Sequence, residues 1–219
     1  MKTYTIVQIG LVIMEAIACI AGIINWKKIK HTYWKWFVVY LGAIVLCEII
    51  GLSLLYLFKN AGGSRDFYNY FVIPFEFLFL IWLYYQYFKD EKARYIPVAG
   101  AIIYLGSWVI NLTIFPDLNF WAMPLPYLVG VIILLLLVIL FFFRLVYSDE
   151  ILGYKRNMMF WVSLGILIFY LVTSPFFGLR QMLYDKYRDI FWIYFYAQFA
   201  VNYMMYMFST IGFLWSKPR

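Results

Sequence analysis

The sequence predicts an all-α integral membrane protein with seven transmembrane helices. Of its 219 residues, 66% are hydrophobic and 13% are charged, about half the charged fraction of an ordinary soluble domain. The mean hydropathy is +0.81. The apolar residues also occur in runs of about 20, the length at which a helix crosses the hydrocarbon core of a bilayer.

Seven such runs follow one another with short polar connections. Because the connections leave no room for a soluble domain, residues 1–219 are expected to form a single seven-helix domain. Residues 129–143, apart from Gly130, are only aliphatic and aromatic, which predicts the most lipid-exposed helix, or one buried against a partner protein. Gly62, Gly63 and Ser64 predict a turn. The predicted spans are 5–26, 34–57, 68–88, 95–115, 124–147, 157–179 and 190–215.

Lysine and arginine are concentrated in alternate connections, a bias that sets the orientation of membrane helices. The sequence therefore predicts an N terminus outside and a C terminus in the cytoplasm, in a bacterial inner membrane. The net charge of +7 fits contact with anionic membrane lipids. A nucleic-acid partner is not expected, because no folded platform presents these side chains. The cytoplasmic set comprises Lys27, Lys28, Lys30, Lys35, Lys89, Lys92, Arg94, Arg144, Lys155, Arg156, Lys217 and Arg219.

Three glutamates, Glu15, Glu48 and Glu76, lie near the middle of separate apolar runs. A charge at that depth is costly, so an intramembrane carboxylate marks a functional site by default. Residue counting places all three at mid-membrane together with Asn202, where they converge if the bundle closes. A purely structural alternative stays open, in which a protonated glutamate donates a hydrogen bond to a neighbouring helix.

Other polar residues repeat at helical spacing within the spans. Tyr194, Gln198, Asn202, Tyr206 and Ser209 share a stripe on the seventh span, and Tyr104, Ser107 and Asn111 share one on the fourth. Aromatic side chains within the spans, such as Tyr84, Trp108, Trp161 and Tyr170, either line a ligand pocket, stack on a cation or pack in the core. The candidate ligand- or ion-binding residues are Glu15, Glu48, Glu76, Asn69, Asn111, Tyr170, Trp161, Gln198 and Asn202.

Few features of the sequence indicate catalysis or a bound cofactor. The single histidine, His31, lies among lysines without a nucleophile or a metal-ligand partner, and no phosphate-binding or nucleophile-elbow motif occurs. Cys19 and Cys47 both lie inside spans, so neither a disulfide framework nor a metal site is expected. A retinal protein is excluded, because residues 190–216 contain no lysine. We expect no catalytic residue, no metal and no cofactor.

Four segments resemble seven-helix membrane regions of Bacteroidota that occur alone or ahead of a cytoplasmic histidine kinase. They are the surroundings of Glu48 and residues 69–79, 160–170 and 202–215, which read NYFVIPFEFLF, FWVSLGILIFY and NYMMYMFSTIGFLW. The resemblance implies sensing or signalling. Because the sequence up to Arg219 contains no kinase domain, a separate effector is expected to receive the signal.

These observations favour a receptor-like, sensory or scaffold protein with a buried polar and aromatic cavity that acts through a protein partner. A secondary transporter or channel that couples proton or cation movement to the mid-membrane carboxylates is the alternative. A membrane-embedded enzyme ranks third. Membrane lipids are expected partners, and the oligomeric state is left open.

We predict that at least one of the three glutamates is neutral at pH 7, or that a bound cation supplies the missing charge. No lysine or arginine shares their depth, so three ionised carboxylates would lack compensation. Infrared difference titration of the protonated carboxyl band measures this directly. Three ionised glutamates without a bound cation would contradict the prediction.

Overall fold

The computed structural model describes residues 2–89, 92–114 and 123–216. Within these ranges the chain is helical and contains no strand. A π-helical turn, Tyr68–Val72, joins the fourth helix to the fifth, and 3-10 segments precede the sixth and the eighth. The helices are α1 (Lys2–Ile24), α2 (Trp26–Ile29), α3 (Trp34–Tyr56), α4 (Ala61–Phe67), α5 (Ile73–Phe88), α6 (Tyr95–Ile114), α7 (Pro124–Val146), α8 (Met158–Lys186) and α9 (Arg188–Trp215).

Six helical segments in the described ranges are long and apolar enough to cross a membrane, which indicates a multi-pass membrane protein. α9 has 28 residues and is long enough, but its tyrosines and amides make it less apolar than the other six. The basic residues Lys217 and Arg219 lie outside the described residues. The six segments are Thr5–Ile24, Trp34–Tyr56, Ala61–Phe88, Lys92–Ile114, Pro124–Val146 and Met158–Arg180.

α9 runs beside α1 in the same direction. The Tyr203 hydroxyl of α9 donates a hydrogen bond to the Val7 carbonyl near the start of α1. Near the other end of α1, the ring of Phe213 lies beside Gly22. α8 is antiparallel to α9, because Gly165 faces Met205 and Met158 faces Gly212. The last helix is therefore an integral part of the bundle.

α5 is the central helix, in contact with α3, α6, α7 and α8. The ring of its residue Phe77 lies 5.2 Å from that of Tyr104, 5.7 Å from that of Tyr127 and 5.5 Å from that of Tyr170. Gly130 of α7 makes this approach possible, since a Cβ there would lie 2.6 Å from the Phe77 ring. Aromatic packing around one side chain thus joins four helices.

α7 is as buried as α8 and more buried than the other candidate spans, so the interpretation of it as the most lipid-exposed helix is wrong. One face, with Ile132, Leu136 and Ile139, is nevertheless exposed. Of its apolar window, 44% is buried, against 28% for α1 and α6. It packs between α6 and α8 and also contacts α5. An all-apolar helix has no polar face to reveal its surroundings, and lipid and protein interior are similarly apolar. Its buried side chains include Leu134, Leu137, Val138 and Phe141.

Two predicted connections are helical instead. The Gly62–Gly63–Ser64 segment belongs to α4, because the Asn60 side chain accepts a hydrogen bond from the Gly63 amide at 2.8 Å and caps the helix. The predicted connection at residues 180–189 is reduced to Tyr187 between α8 and α9. A small apolar cluster of Phe176, Leu183 and Phe191 packs the two helices together there. These contacts extend α8 and α9 beyond the apolar spans predicted for them.

We predict that Gly165→Ala lowers the free energy of unfolding by about 1–3 kcal/mol, the usual range for overpacking. A Cβ at Gly165 would lie 3.2 Å from both the Cα and the carbonyl oxygen of Met205, and backbone atoms cannot rotate away. Gly178→Ala on the same helix is the control, since its Cβ would meet nothing within 4 Å. Equilibrium unfolding in mixed detergent micelles measures both variants. Equal losses would contradict the packing argument.

Candidate functional site: a cluster of carboxyl and phenol groups

Three helices bring their glutamates together, as residue counting predicts. Glu15 comes from α1, Glu48 from α3 and Glu76 from α5, and the three carboxyl groups are close enough to interact electrostatically. Glu15 is 1% exposed, whereas Glu48 and Glu76 are partly buried. Charges at this separation in an apolar interior are screened weakly, so the ionisation of one carboxyl opposes that of the others.

Each carboxyl group faces a tyrosine from another part of the chain. The Tyr68 hydroxyl donates a hydrogen bond to Glu48 Oε2 at 2.8 Å. The Tyr170 hydroxyl of α8 donates one to Glu76 Oε1 at 3.2 Å. Tyr206 of α9 lies within hydrogen-bonding reach of Glu15. Neutral O–H donors thus take the place that lysine or arginine would have in a buried ion pair.

Tyr40 of α3 lies among these pairs. It is buried, with 4% of its surface exposed, and it interacts electrostatically with both Glu15 and Glu76. Its ring is stacked on Phe79 with 4.1 Å between centroids and an interplanar angle of 2°. We call these groups together the carboxyl–phenol cluster, which consists of Glu15, Glu48, Glu76, Tyr40, Tyr68, Tyr170 and Tyr206.

Small residues, among them Ala18 and Gly51, allow the helices around the cluster to approach closely. A Cβ at Gly51 would lie 2.5 Å from the Tyr68 hydroxyl oxygen. Glu48 lies one turn before Gly51 on α3. Tyr68 therefore reaches Glu48 only because residue 51 is a glycine. Ala18, one turn after Glu15, is fully buried. Ala18 and Gly51 each follow a glutamate of the same helix by three residues, so each small residue lies beside a carboxyl group of the cluster.

Two buried acceptor atoms near the α1–α9 contact have no hydrogen-bond partner within the described residues. They are Glu15 Oε2 and Asn202 Oδ1. Asn202 precedes Tyr206, the neighbour of Glu15, by one helical turn. A buried acceptor without a donor destabilises by about 1–3 kcal/mol. A proton on Glu15 would convert one of these acceptors into a donor, so this part of the cluster is suited to a protonated carboxyl.

Among the described residues, no group of three or more histidine, cysteine, aspartate or glutamate side chains is arranged to hold a metal ion.

The other predicted site residues lie elsewhere. Asn69 lines a cleft between α5, α6 and α7, and Asn111 is fully buried in α6. The Trp161 indole donates a hydrogen bond to the Lys155 carbonyl at 2.9 Å, at the end of the bundle where α9 finishes. Gln198 is partly buried on α9, two turns before Tyr206. Of the predicted set, Glu15, Glu48, Glu76 and Tyr170 belong to the cluster and Asn202 adjoins it.

The two predicted polar stripes behave differently. On α6, Tyr104, Ser107 and Asn111 are all buried, as predicted. On α9 only the second half of the stripe faces inward, since Tyr206 is 5% exposed whereas Tyr194 is 39% exposed.

Sequence reasoning missed Tyr40 and Tyr68. The groups that they contact are on other helices. The available signal was their position eight residues, or about two helical turns, before a glutamate in the same predicted span: Tyr40 before Glu48 and Tyr68 before Glu76.

No protein-family model, curated protein or solved structure matches this chain. Its function must therefore be argued from the site itself. The resemblance to the Bacteroidota membrane regions stays a prediction.

We predict that Tyr68→Phe lowers the free energy of unfolding by about 1–3 kcal/mol, because Glu48 loses its donor and remains in an apolar environment. The measurement is unfolding in mixed micelles, followed by tryptophan fluorescence. Tyr70→Phe, two residues away, is the matched control, because Tyr70 is 46% exposed and phenylalanine keeps its ring contact with Trp108. A control variant as unstable as Tyr68→Phe would refute the role assigned to the Tyr68–Glu48 bond.

Proposed function

We propose that the protein is a receptor-like, sensory membrane protein whose switch is proton binding by the carboxyl–phenol cluster, with a protein partner receiving the signal. The observation that carries the proposal is the convergence of three glutamates from three helices onto phenol donors. The proposal includes seven spans, with the N terminus outside and the C terminus in the cytoplasm of a bacterial inner membrane.

The charge balance of the cluster favours a proton as the signal. Several carboxylates in one weakly polar environment cannot all ionise without a large electrostatic penalty. Within the part of the chain that the structure describes, the groups that interact with these carboxyls are other carboxyls and phenols rather than lysines or arginines. Gain or loss of a proton therefore changes which groups donate and which accept hydrogen bonds within the cluster.

The position of the glutamates on α1, α3 and α5 connects this chemistry to helix packing. Each carboxyl faces a tyrosine from a different segment, so a change in protonation alters contacts between helices and not only within one. Such a local electrostatic change can act as a switch when it biases two arrangements of a packed bundle. A partner at the cytoplasmic connections would detect the resulting displacement.

The direction of α9 supports the seven-span topology. α9 runs parallel to α1, as the seventh helix of an up-and-down bundle must run relative to the first. The basic segments Trp26–Ile29, Lys92–Arg94 and Asp149–Arg156 then lie at the same end of the bundle. The positive-inside bias places that end in the cytoplasm.

A proton-coupled transporter is the second candidate, and helix irregularities beside the cluster favour it. The π-helical turn Tyr68–Val72 interrupts the span that carries Glu76. Pro175 lies inside α8, five residues after Tyr170. Interrupted helices next to mid-membrane ionisable groups are typical of secondary transporters.

We predict a pH-dependent conformational change that requires the glutamates. In lipid nanodiscs, hydrogen exchange of the α1, α3 and α5 amides should change with pH in the native protein. The change should be absent from the triple variant Glu15→Gln/Glu48→Gln/Glu76→Gln, because its amides do not ionise. Asp66→Asn is the control, since Asp66 is an exposed acid paired with Arg65 at 3.0 Å. A triple variant that retains the native pH response would refute the proposal.

Proton flux distinguishes the two candidate functions. For a sensory protein we expect proteoliposomes containing a pH-sensitive dye to show no flux above that of protein-free vesicles, because the switch only rearranges helix contacts. Flux that is present in the native protein and lost in Glu76→Gln would favour the transporter instead. Tyr70→Phe is again the control for non-specific damage.

A further inference from the structure

Glu15 differs from the other two glutamates in its access to solvent and to hydrogen-bond donors. It is 1% exposed, and its Oε2 atom is buried without a hydrogen-bond partner among the described residues. Glu48 and Glu76 are only partly buried. Each of them accepts a hydrogen bond from a tyrosine hydroxyl, at 2.8 Å and 3.2 Å respectively. The three carboxyl groups of the cluster are therefore not equivalent.

An ionised Glu15 would be the most costly of the three charges. Burial without a donor disfavours a carboxylate, whereas the tyrosine donors at Glu48 and Glu76 favour their ionised forms. When carboxyl groups share one environment, their protonation is coupled and a proton is retained by one of them. The groups that interact with Glu15 include no cation in the part of the chain that the structure describes. They are Tyr40, Cys47 and Glu48 of α3, Glu76 of α5 and Tyr206 of α9.

The neighbouring helix α9 supplies an acceptor that suits a protonated Glu15. Asn202 Oδ1 is buried and has no hydrogen-bond partner within the described ranges. Asn202 precedes Tyr206 by one helical turn, and Tyr206 lies within hydrogen-bonding reach of Glu15. The next residue, Tyr203, donates a hydrogen bond to the Val7 carbonyl and so holds this part of α9 against α1. A proton on Glu15 turns one unpaired acceptor into the donor that the other lacks.

We infer that Glu15 keeps its proton throughout the working range of the switch and donates a hydrogen bond from Oε2 to Asn202 Oδ1, which joins α1 to α9. Glu48 and Glu76 are then the carboxyl groups that gain and lose protons. The inference deepens the proposed function and rests on it for the role of Glu48 and Glu76, whereas the proton on Glu15 is independent of it. A neutral Glu15 also reduces the repulsion that the other two carboxylates meet when they ionise.

Infrared spectroscopy of the full chain in lipid nanodiscs tests the protonation of Glu15. A protonated carboxyl group has a C=O stretching band that a carboxylate lacks, and exposed acids are ionised at neutral pH. As the pH is raised through neutrality, we expect one protonated carboxyl to outlast the others in the native protein, in Glu48→Gln and in Glu76→Gln. It should be missing from Glu15→Gln. A native protein without this band, or a Glu15→Gln variant that keeps it, overturns the inference.

The frequency of the same band tests the hydrogen bond to α9. Asn202→Leu removes the acceptor and should raise the frequency, because hydrogen bonding lowers the C=O stretching frequency of a carboxylic acid. Gln198→Leu, one helical turn earlier on α9, is the matched control and should leave the frequency unchanged. An unchanged band in Asn202→Leu, or equal shifts in both variants, contradicts the assignment of Asn202 as the acceptor.

Hydrogen exchange separates this inference from the proposed function. Glutamine keeps a donor and an acceptor where the protonated acid has them, so the pH response of the α3 and α5 amides should persist in Glu15→Gln. It should disappear in Glu48→Gln/Glu76→Gln. A response lost in the single variant and retained in the double variant overturns the inference and leaves the proton switch in place. A response retained in the triple variant refutes the switch, and the infrared band of the native chain still decides whether Glu15 holds a proton.

Discussion

A carboxyl group inside an apolar bundle must find its hydrogen-bond donors in the protein, and this constraint organises the interior. Water is scarce there, and ionised carboxylates without partners are strongly disfavoured. The chain meets the requirement with phenols from Tyr68, Tyr170 and Tyr206. Because each phenol comes from a different segment than its carboxyl, the cluster joins α1, α3, α5, α8 and α9. The polar chemistry and the helix arrangement therefore depend on each other.

Close approach of the backbones makes this arrangement possible. In lipid there is little hydrophobic drive between helices, so van der Waals packing and interhelical hydrogen bonds stabilise the bundle. Gly51, Gly130 and Gly165 each leave space that a neighbouring residue occupies. At Gly51 the occupant is Tyr68 itself. A displacement of α3 against the π-helical turn would thus change the hydrogen bond to Glu48, which connects packing with protonation.

The same π-helical turn separates two chemically different regions. Tyr68 contacts the carboxyl–phenol cluster, whereas Asn69 lines a cleft between α5, α6 and α7 whose described lining residues carry no charge. Both depend on one short irregular segment of the span that also carries Glu76.

The sequence by itself determined most of the helices, because hydropathy is a local property of the chain. Residue counting along the predicted spans also predicted that Glu15, Glu48 and Glu76 converge. Only the tertiary structure decided that one face of α7 packs against α5, α6 and α8, since an all-apolar helix fits lipid and protein alike. It also decided which tyrosine meets each carboxyl, because these contacts join residues from 20 to about 190 positions apart. No local pattern records such pairs; they depend on how the helices pack.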